Sequence, residues 1–170
     1  YATLEPAVSY TKVINDTEAK LKGTDERRIT LMGINTKEFG QNTYVKDGLL
    51  EQYYYEYLNR MAETADGVLV SRNFQTKLGY KVGEKISFAD KDGNTANAKI
   101  VDFVDFWPAY EPVITTVTPD GEVQKEENFM VIAHYASLQQ NWGVTPYEVW
   151  ISLEEETSSD DIYQWIQDND

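Results

Sequence analysis

The hydrophobic period of this chain changes at Lys85, and that change constrains the fold more than any other feature. Before it, Leu50, Tyr54, Tyr57, Leu58 and Met61 fall at helical spacing, so LLEQYYYEYLNRMAE is predicted to be an amphipathic helix of about four turns. After it, KISFAD and NAKIVDFVDF alternate with a period of two around DKDGN, whose Asp-Gly pair predicts a tight hairpin. A second hairpin is expected at Thr118-Pro119-Asp120-Gly121, between VITTV and the segment leading to Val123.

The flanks mix both periods. Two extended stretches open the chain, one carrying Val8, Tyr10 and Val13, the other Ile29, Leu31, Met32 and Ile34, with Lys22-Gly23-Thr24-Asp25 turning between them. DGVLVS (66–71) reads as a buried strand. RNFQTKLG follows as a short helix, with Phe74 and Leu78 four apart and Gly79 at its C-cap. NFMVIAHY is a second buried strand, YASLQQNWG one or two helical turns ended by Gly143, and YEVWISLEE another strand. In ETSSDDIYQWIQDN, Ser158 or Ser159 is placed to cap a helix whose first turn carries Asp160 and Asp161 and whose stripe is Ile162, Trp165 and Ile166. Helical pieces around a β-rich middle predict an α+β fold: a discontinuous α/β lobe (1–66 and 129–170) with an inserted, mostly antiparallel β lobe (67–128).

Charge and composition narrow the function. At 170 residues and 41% hydrophobic, the chain is long enough to bury a real core. A net charge of −14 argues against nucleic acid and anionic lipid as partners, because phosphate recognition needs clustered Lys and Arg. The absence of cysteine removes disulfides, thiolate metal sites and a cysteine nucleophile together. No apolar run approaches the length of a membrane span, and the chain opens without an initiator Met or signal peptide, as expected of a piece of a longer protein.

Each candidate chemistry meets a physical objection. Gly79 and Gly83, followed by Lys85 and Ser87, imitate a phosphate loop, but only three residues separate the glycines and Glu84 stands where the lysine is required. Asp90, Asp92 and Asn94 alternate as in a calcium loop, yet Gly93 is fourth rather than sixth and Val101 takes the place of the twelfth-position carboxylate. His134, the single histidine, lies in an apolar run and is expected to be packed or at a rim. Nothing singles out a carboxylate pair for hydrolysis. The unusual surface candidate is VDFWPAYEP, where Phe106, Trp107 and Tyr110 cluster around Pro108; Trp142 belongs with them. These rings either plug the end of a small barrel or form a contact surface for a partner. Three consecutive tyrosines, Tyr53 to Tyr55, cannot all face one side of a helix, so at least one should be exposed.

The order of several segments carries more information than any one of them. Val68-Leu69-Val70-Ser71 leads to a short helix ending in Leu78-Gly79; then Gly83-Glu84-Lys85-Ile86 opens a β segment, and DKDGN precedes a strand running toward Pro108. This succession resembles the extracytoplasmic domain of FtsX-like, MacB-type ABC transporter permeases, as do MGINTKEF (32–39) before it and EVWISLEEETSSDDIYQWI (148–166) after it. The resemblance implies a core domain between two membrane helices at the extracytoplasmic face of the cell membrane. It further implies no catalytic residue, metal or cofactor in the domain itself. A cognate ATP-binding subunit would engage through the membrane portion, and an extracytoplasmic protein or peptide would be the external partner. The alternative reading is a secreted or surface-anchored module that binds protein or carbohydrate through the aromatic patch.

Overall fold

A computed structural model of the chain describes residues 8–23 and 26–153, together with Asp160, Tyr163, Gln164 and Gln167. The elements in chain order are β1 (Val8–Asp16), β2 (Lys20–Lys22), β3 (Arg27–Arg28), β4 (Thr30–Ile34), α1 (Thr36–Asn42), α2 (Tyr54–Ala62), β5 (Gly67–Ser71) and α3 (Asn73–Thr76). They continue with β6 (Lys85–Ala89), β7 (Thr95–Val104), β8 (Val113–Val117), β9 (Val123–Glu127), β10 (Met130–His134), α4 (Tyr135–Trp142) and β11 (Glu148–Leu153). Asp160, Tyr163, Gln164 and Gln167 are helical, whereas the expected Ser158 or Ser159 cap and the Ile162, Trp165, Ile166 stripe lie outside the described residues.

The fold is α+β. Among the described residues, nine strands form one mostly antiparallel sheet in the order β11-β1-β4-β10-β5-β7-β6-β2-β3, and β8 and β9 form a second, small sheet. Parallel pairing is confined to β4 with β10 and β5 with β7. The expected lobe boundaries at 66/67 and 128/129 do not divide this sheet. β10 slots between β4 and β5, with Val131 opposite Val70, so strands from both expected lobes share one hydrogen-bonded surface.

Connectivity forces the sheet to roll up. Three residues, Thr17 to Ala19, join β1 to β2, and such a link reaches about 14 Å. In the sheet order, however, five strands stand between those two. The β2 edge must therefore curl back toward β1. The curl encloses one core, in which Ile14, Leu21, Leu31, Val68, Val70, Phe88 and Val131 pack together, with Trp142 edge-on to Phe88 at 5.9 Å. The opposite face carries a second core of Val13, Met32, Ile34, Leu69, Met130 and Ile132, covered by Phe39 of α1 and by Tyr54, Tyr57, Leu58 and Met61 of α2. Alternate residues of each central strand serve alternate cores, as the pleat requires. An extra residue in β7, Val101, breaks register between Val68 and Leu69 and aims Asp102 at the α2 face, where Arg60 donates to it.

Local chemistry explains the element ends. Asn35 caps α1 by accepting from the Lys37 and Glu38 amides, each at 3.1 Å. α2 begins at Tyr54, later than its apolar stripe predicts, because the preceding turn is held by side chains: Gln52 accepts from Arg60 and Glu51 pairs with Arg72 at 2.8 Å. Gly33 allows α4 to approach β4. A Cβ there would lie 2.6 Å from Leu138 Cδ1 and 3.1 Å from Ile14 Cβ. Gly33→Ala is expected to lower stability by about 1–3 kcal/mol, read as a shift in the denaturation midpoint; an unchanged midpoint would show that α4 is free to move away.

Candidate functional site

The two ends of the described body lie side by side. β1 and β11 pair antiparallel with Val8 opposite Leu153 and Ser9 opposite Ser152, so the chain enters and leaves the sheet at one pole. β1 runs away from that pole for nine residues, roughly 30 Å. β4 and β10 run back toward it, while β5 and β7 again run away. Val104, the last residue of β7, and Met130, the first of β10, therefore both stand at the opposite pole. Ser71 joins them there: it pairs with Val104, and its Oγ accepts from the Met130 amide at 2.8 Å. The β8–β9 hairpin springs from this second pole.

A buried asparagine ties down both roots of the hairpin. Asn128 is 6% exposed. Its Oδ1 accepts from Thr30 Oγ1 at 3.0 Å and its Nδ2 donates to the Glu111 carbonyl at 2.9 Å. Its amide donates to the Pro112 carbonyl, and its own carbonyl accepts from Asn73 Nδ2 at 2.7 Å and Tyr110 Oη at 3.1 Å. Arg72 adds an ionic clamp nearby, donating to both oxygens of Asp105 and pairing with Glu51, and the Asp105 bond holds the guanidinium pKa above its ordinary value.

The four aromatic residues singled out in the sequence do not form one surface. Trp107 is wholly buried in the second core, stacked on Phe39 at 5.9 Å with a 6° interplanar angle and tilted against Tyr54 at 5.5 Å. Phe106 and Tyr110 are half-buried against that same core, whereas Trp142 packs on the other one. A turn across Pro108 produces this arrangement. Tyr110 N donates to the Trp107 carbonyl at 3.0 Å, and Ala109 takes φ 61° at the position where a type II turn requires a left-handed residue. Trp107 is therefore corrected from contact surface to core residue. Of the three tyrosines, Tyr53 and Tyr55 are exposed and Tyr54 is buried.

Other polar groups are occupied by structural work. Asp90 accepts from the Asp92 and Asn94 amides within its own turn, so the calcium-like spacing is a hairpin turn. The Asp16 carboxylate likewise accepts from the Glu18 and Ala19 amides. These two turns and Trp142 line a cleft of about 370 Å³ at the seam of the rolled sheet. His134 Nε2 donates to the Met61 and Thr64 carbonyls and so closes the end of α2. Among the described residues, no group of three or more His, Asp or Glu side chains is arranged to hold a metal ion.

Burial has a titration consequence. It lifts the phenol pKa of Tyr54, which shares a 2.7 Å hydrogen bond with Thr43, and that of Tyr110, above the ordinary tyrosine value. Tyrosines of the unfolded chain ionise near pH ~10. Above that pH the native state retains more protons than the unfolded state, so stability is full below it and falls as pH rises toward the folded values. Denaturation midpoints should therefore decline only above about pH 10, and Tyr54→Phe should flatten the decline. An identical slope in that variant would contradict the assignment.

No family model and no curated protein sequence matches the chain. Solved structures do. The periplasmic region of MacB from Actinobacillus actinomycetemcomitans aligns with TM-score 0.54 at 8% identity, over 99% of this chain and 68% of that one. The extracellular domain of the noncanonic ABC-type transporter YknZ from Gram-positive bacteria aligns at 0.49 and 15% identity, over 96% and 77%. A domain of a putative permease protein from Porphyromonas gingivalis aligns at 0.47 and 11%, over 99% and 71%. The MacB alignment places this chain in the MacB-like periplasmic fold, as the order of its sequence segments implied.

Proposed function

We propose that this chain is a non-catalytic, extracytoplasmic domain of an ABC transporter permease. In this reading it couples ATP-driven movement of membrane helices to a substrate or partner outside the cell. The observation that carries the reading is the pairing of Val8 with Leu153, which brings the start of β1 and the end of β11 to one pole. Two membrane segments attached there would grip adjacent, hydrogen-bonded strands, and their displacement would pass through β1 and β11 into a nine-stranded sheet. The MacB-like fold supports the assignment. Among the described residues no helix is long and apolar enough to cross a membrane; in this reading the spans belong to the flanking parts of a longer protein. The cognate ATP-binding subunit would be engaged through those spans, and the opposite pole, with its anchored hairpin, would face the external partner.

These 170 residues contain no cysteine, so the parent protein without the introduced cysteine serves as the labelling control. Asp120→Cys at the exposed hairpin turn, in the full-length protein expressed in its own cells, should react with a membrane-impermeant maleimide in intact cells. The labelled protein should also co-purify with an ATP-hydrolysing subunit. Labelling that requires prior lysis would refute the extracytoplasmic placement, and purification without any ATPase would refute the transporter assignment.

A further inference from the structure

The β8–β9 hairpin leaves one hydrogen-bonding edge open. The backbone bonds from Asn128 N to Pro112 O and from Thr118 N to Glu122 O fix the alternation of the ladder. Ile114 and Thr116 therefore turn their amides and carbonyls toward β9, while those of Val113, Thr115 and Val117 point outward. Among the described residues, no backbone group pairs with that outward row. β8 reads VITTV, five β-branched residues without charge, proline or bulge, which is the kind of edge that accepts another strand. The outer side of β9 is guarded by contrast, because Lys125 and Glu127 flank its outward groups.

We propose that the outer edge of β8 docks an extended, basic segment of a partner protein, which adds to the hairpin as a third strand. Side-chain exposure supports this. Val113, Val117 and Val123 are 49%, 68% and 62% exposed, and the register places all three on one face of the hairpin. Two strands alone hold such a face poorly in water, and a third would cover part of it. Charge selects the partner. Residues 111–127 carry five carboxylates, Glu111, Asp120, Glu122, Glu126 and Glu127, against Lys125 alone, so basic side chains on the incoming strand enter the negative field of β9 and the turn, one strand beyond the uncharged β8. The same charge opposes pairing of two copies through β8. The inference rests on the reading above only for the direction in which the hairpin faces.

The probe is a blocked ten-residue peptide of alternating valine and lysine, titrated into the 170-residue chain at moderate salt. Binding should bring new hydrogen-exchange protection to the Val113, Thr115 and Val117 amides and leave Ile114 and Thr116 as they were. Thr115→Pro removes an outward donor without touching the β8–β9 ladder, and should weaken binding at least tenfold, whereas Thr115→Val should bind as the parent does. The same peptide N-methylated at alternate residues should fail to bind the unaltered protein, which keeps the test independent of any folding defect in the proline variant. Equal binding by both variants and both peptides would overturn the proposal in favour of general attraction to an acidic surface. A dimer of the free chain that Thr115→Pro dissolves would overturn it in favour of self-pairing. Because the assay needs neither membrane nor ATPase, its failure would leave the transporter reading intact, and loss of that reading would leave the peptide result standing.

Discussion

Trp107→Ala is expected to lower the stability of the domain by about 3–5 kcal/mol, enough to unfold a large fraction of a marginal domain at physiological temperature. The ring has no exposure and joins three elements that are distant in sequence: the turn after β7, Phe39 on α1 and Tyr54 on α2. Its removal leaves a cavity that α1 and α2 cannot both close. Among the described residues, no acceptor reaches Trp107 Nε1, so the indole carries a buried, unpaired donor. Trp107→Phe discards that donor and keeps an aromatic ring against Phe39 and Tyr54, and should recover most of the loss. Urea denaturation of the two variants provides the check. A stable Trp107→Ala protein that had merely lost a binding activity would instead restore the ring to a surface role.

Asn128→Ala should cost about 1–3 kcal/mol, because it strands the buried Thr30 hydroxyl and removes the part-buried bond to the Glu111 carbonyl. Its more telling effect is local. The side chain ties the segment before β8 to the sheet, so hydrogen-exchange protection at Ile114 and Thr116 should fall further than global stability requires. Asn128→Asp keeps the acceptor for Thr30 but loses the donor to Glu111 and buries a charge, and should be no better. Hairpin protection that simply followed global stability in both variants would show that the hairpin is held by something other than this asparagine.

Much of the fold was legible because its signals are local. Asp92-Gly93 and Asp120-Gly121 sit in their turns with φ 87° and 86° at the glycines, and Gly143 caps α4 at φ 76°; α3 ends earlier than expected, capped by Lys77, and Gly79 takes its positive φ in the turn beyond. These residues specify backbone conformation within a few positions, whatever the rest of the chain does. LGYKVGEKIS is one such stretch. Gly79 N returns to Gln75 O, Gly83 N donates to Ile100 O, and Lys85 is an exposed strand residue. α1 was missed: Asn35 and Glu38 stand at its start as cap and third residue, but the segment carries little apolar periodicity to announce a helix.

Long-range pairing was not legible. Nothing in MVIAH says that it will lie between β4 and β5, because a buried strand is apolar on both faces whoever its neighbours are, and nothing in the three residues KLK says that they will reach β6. For that reason the sequence did not show that strands on both sides of the expected lobe boundaries share one sheet. The fate of Trp107 was hidden in the same way: proline beside aromatic residues reads alike for a plug and for a patch, and the covering residues lie more than fifty positions upstream on α1 and α2. The pairing of Val8 with Leu153, on which the functional reading depends, joins the two ends of the described body and has no local signature at all.

The coupling claim is tested most directly by energy transfer to the membrane. Single cysteines at Ser9 and Asp120, each carrying a donor dye, would be placed in the full-length protein reconstituted with its ATPase in vesicles whose lipid headgroups carry the acceptor. The account predicts strong transfer from position 9, weak transfer from position 120, and a change at position 120 when ATP is turned over. Equal transfer from both positions, or a hairpin signal indifferent to ATP, would contradict it.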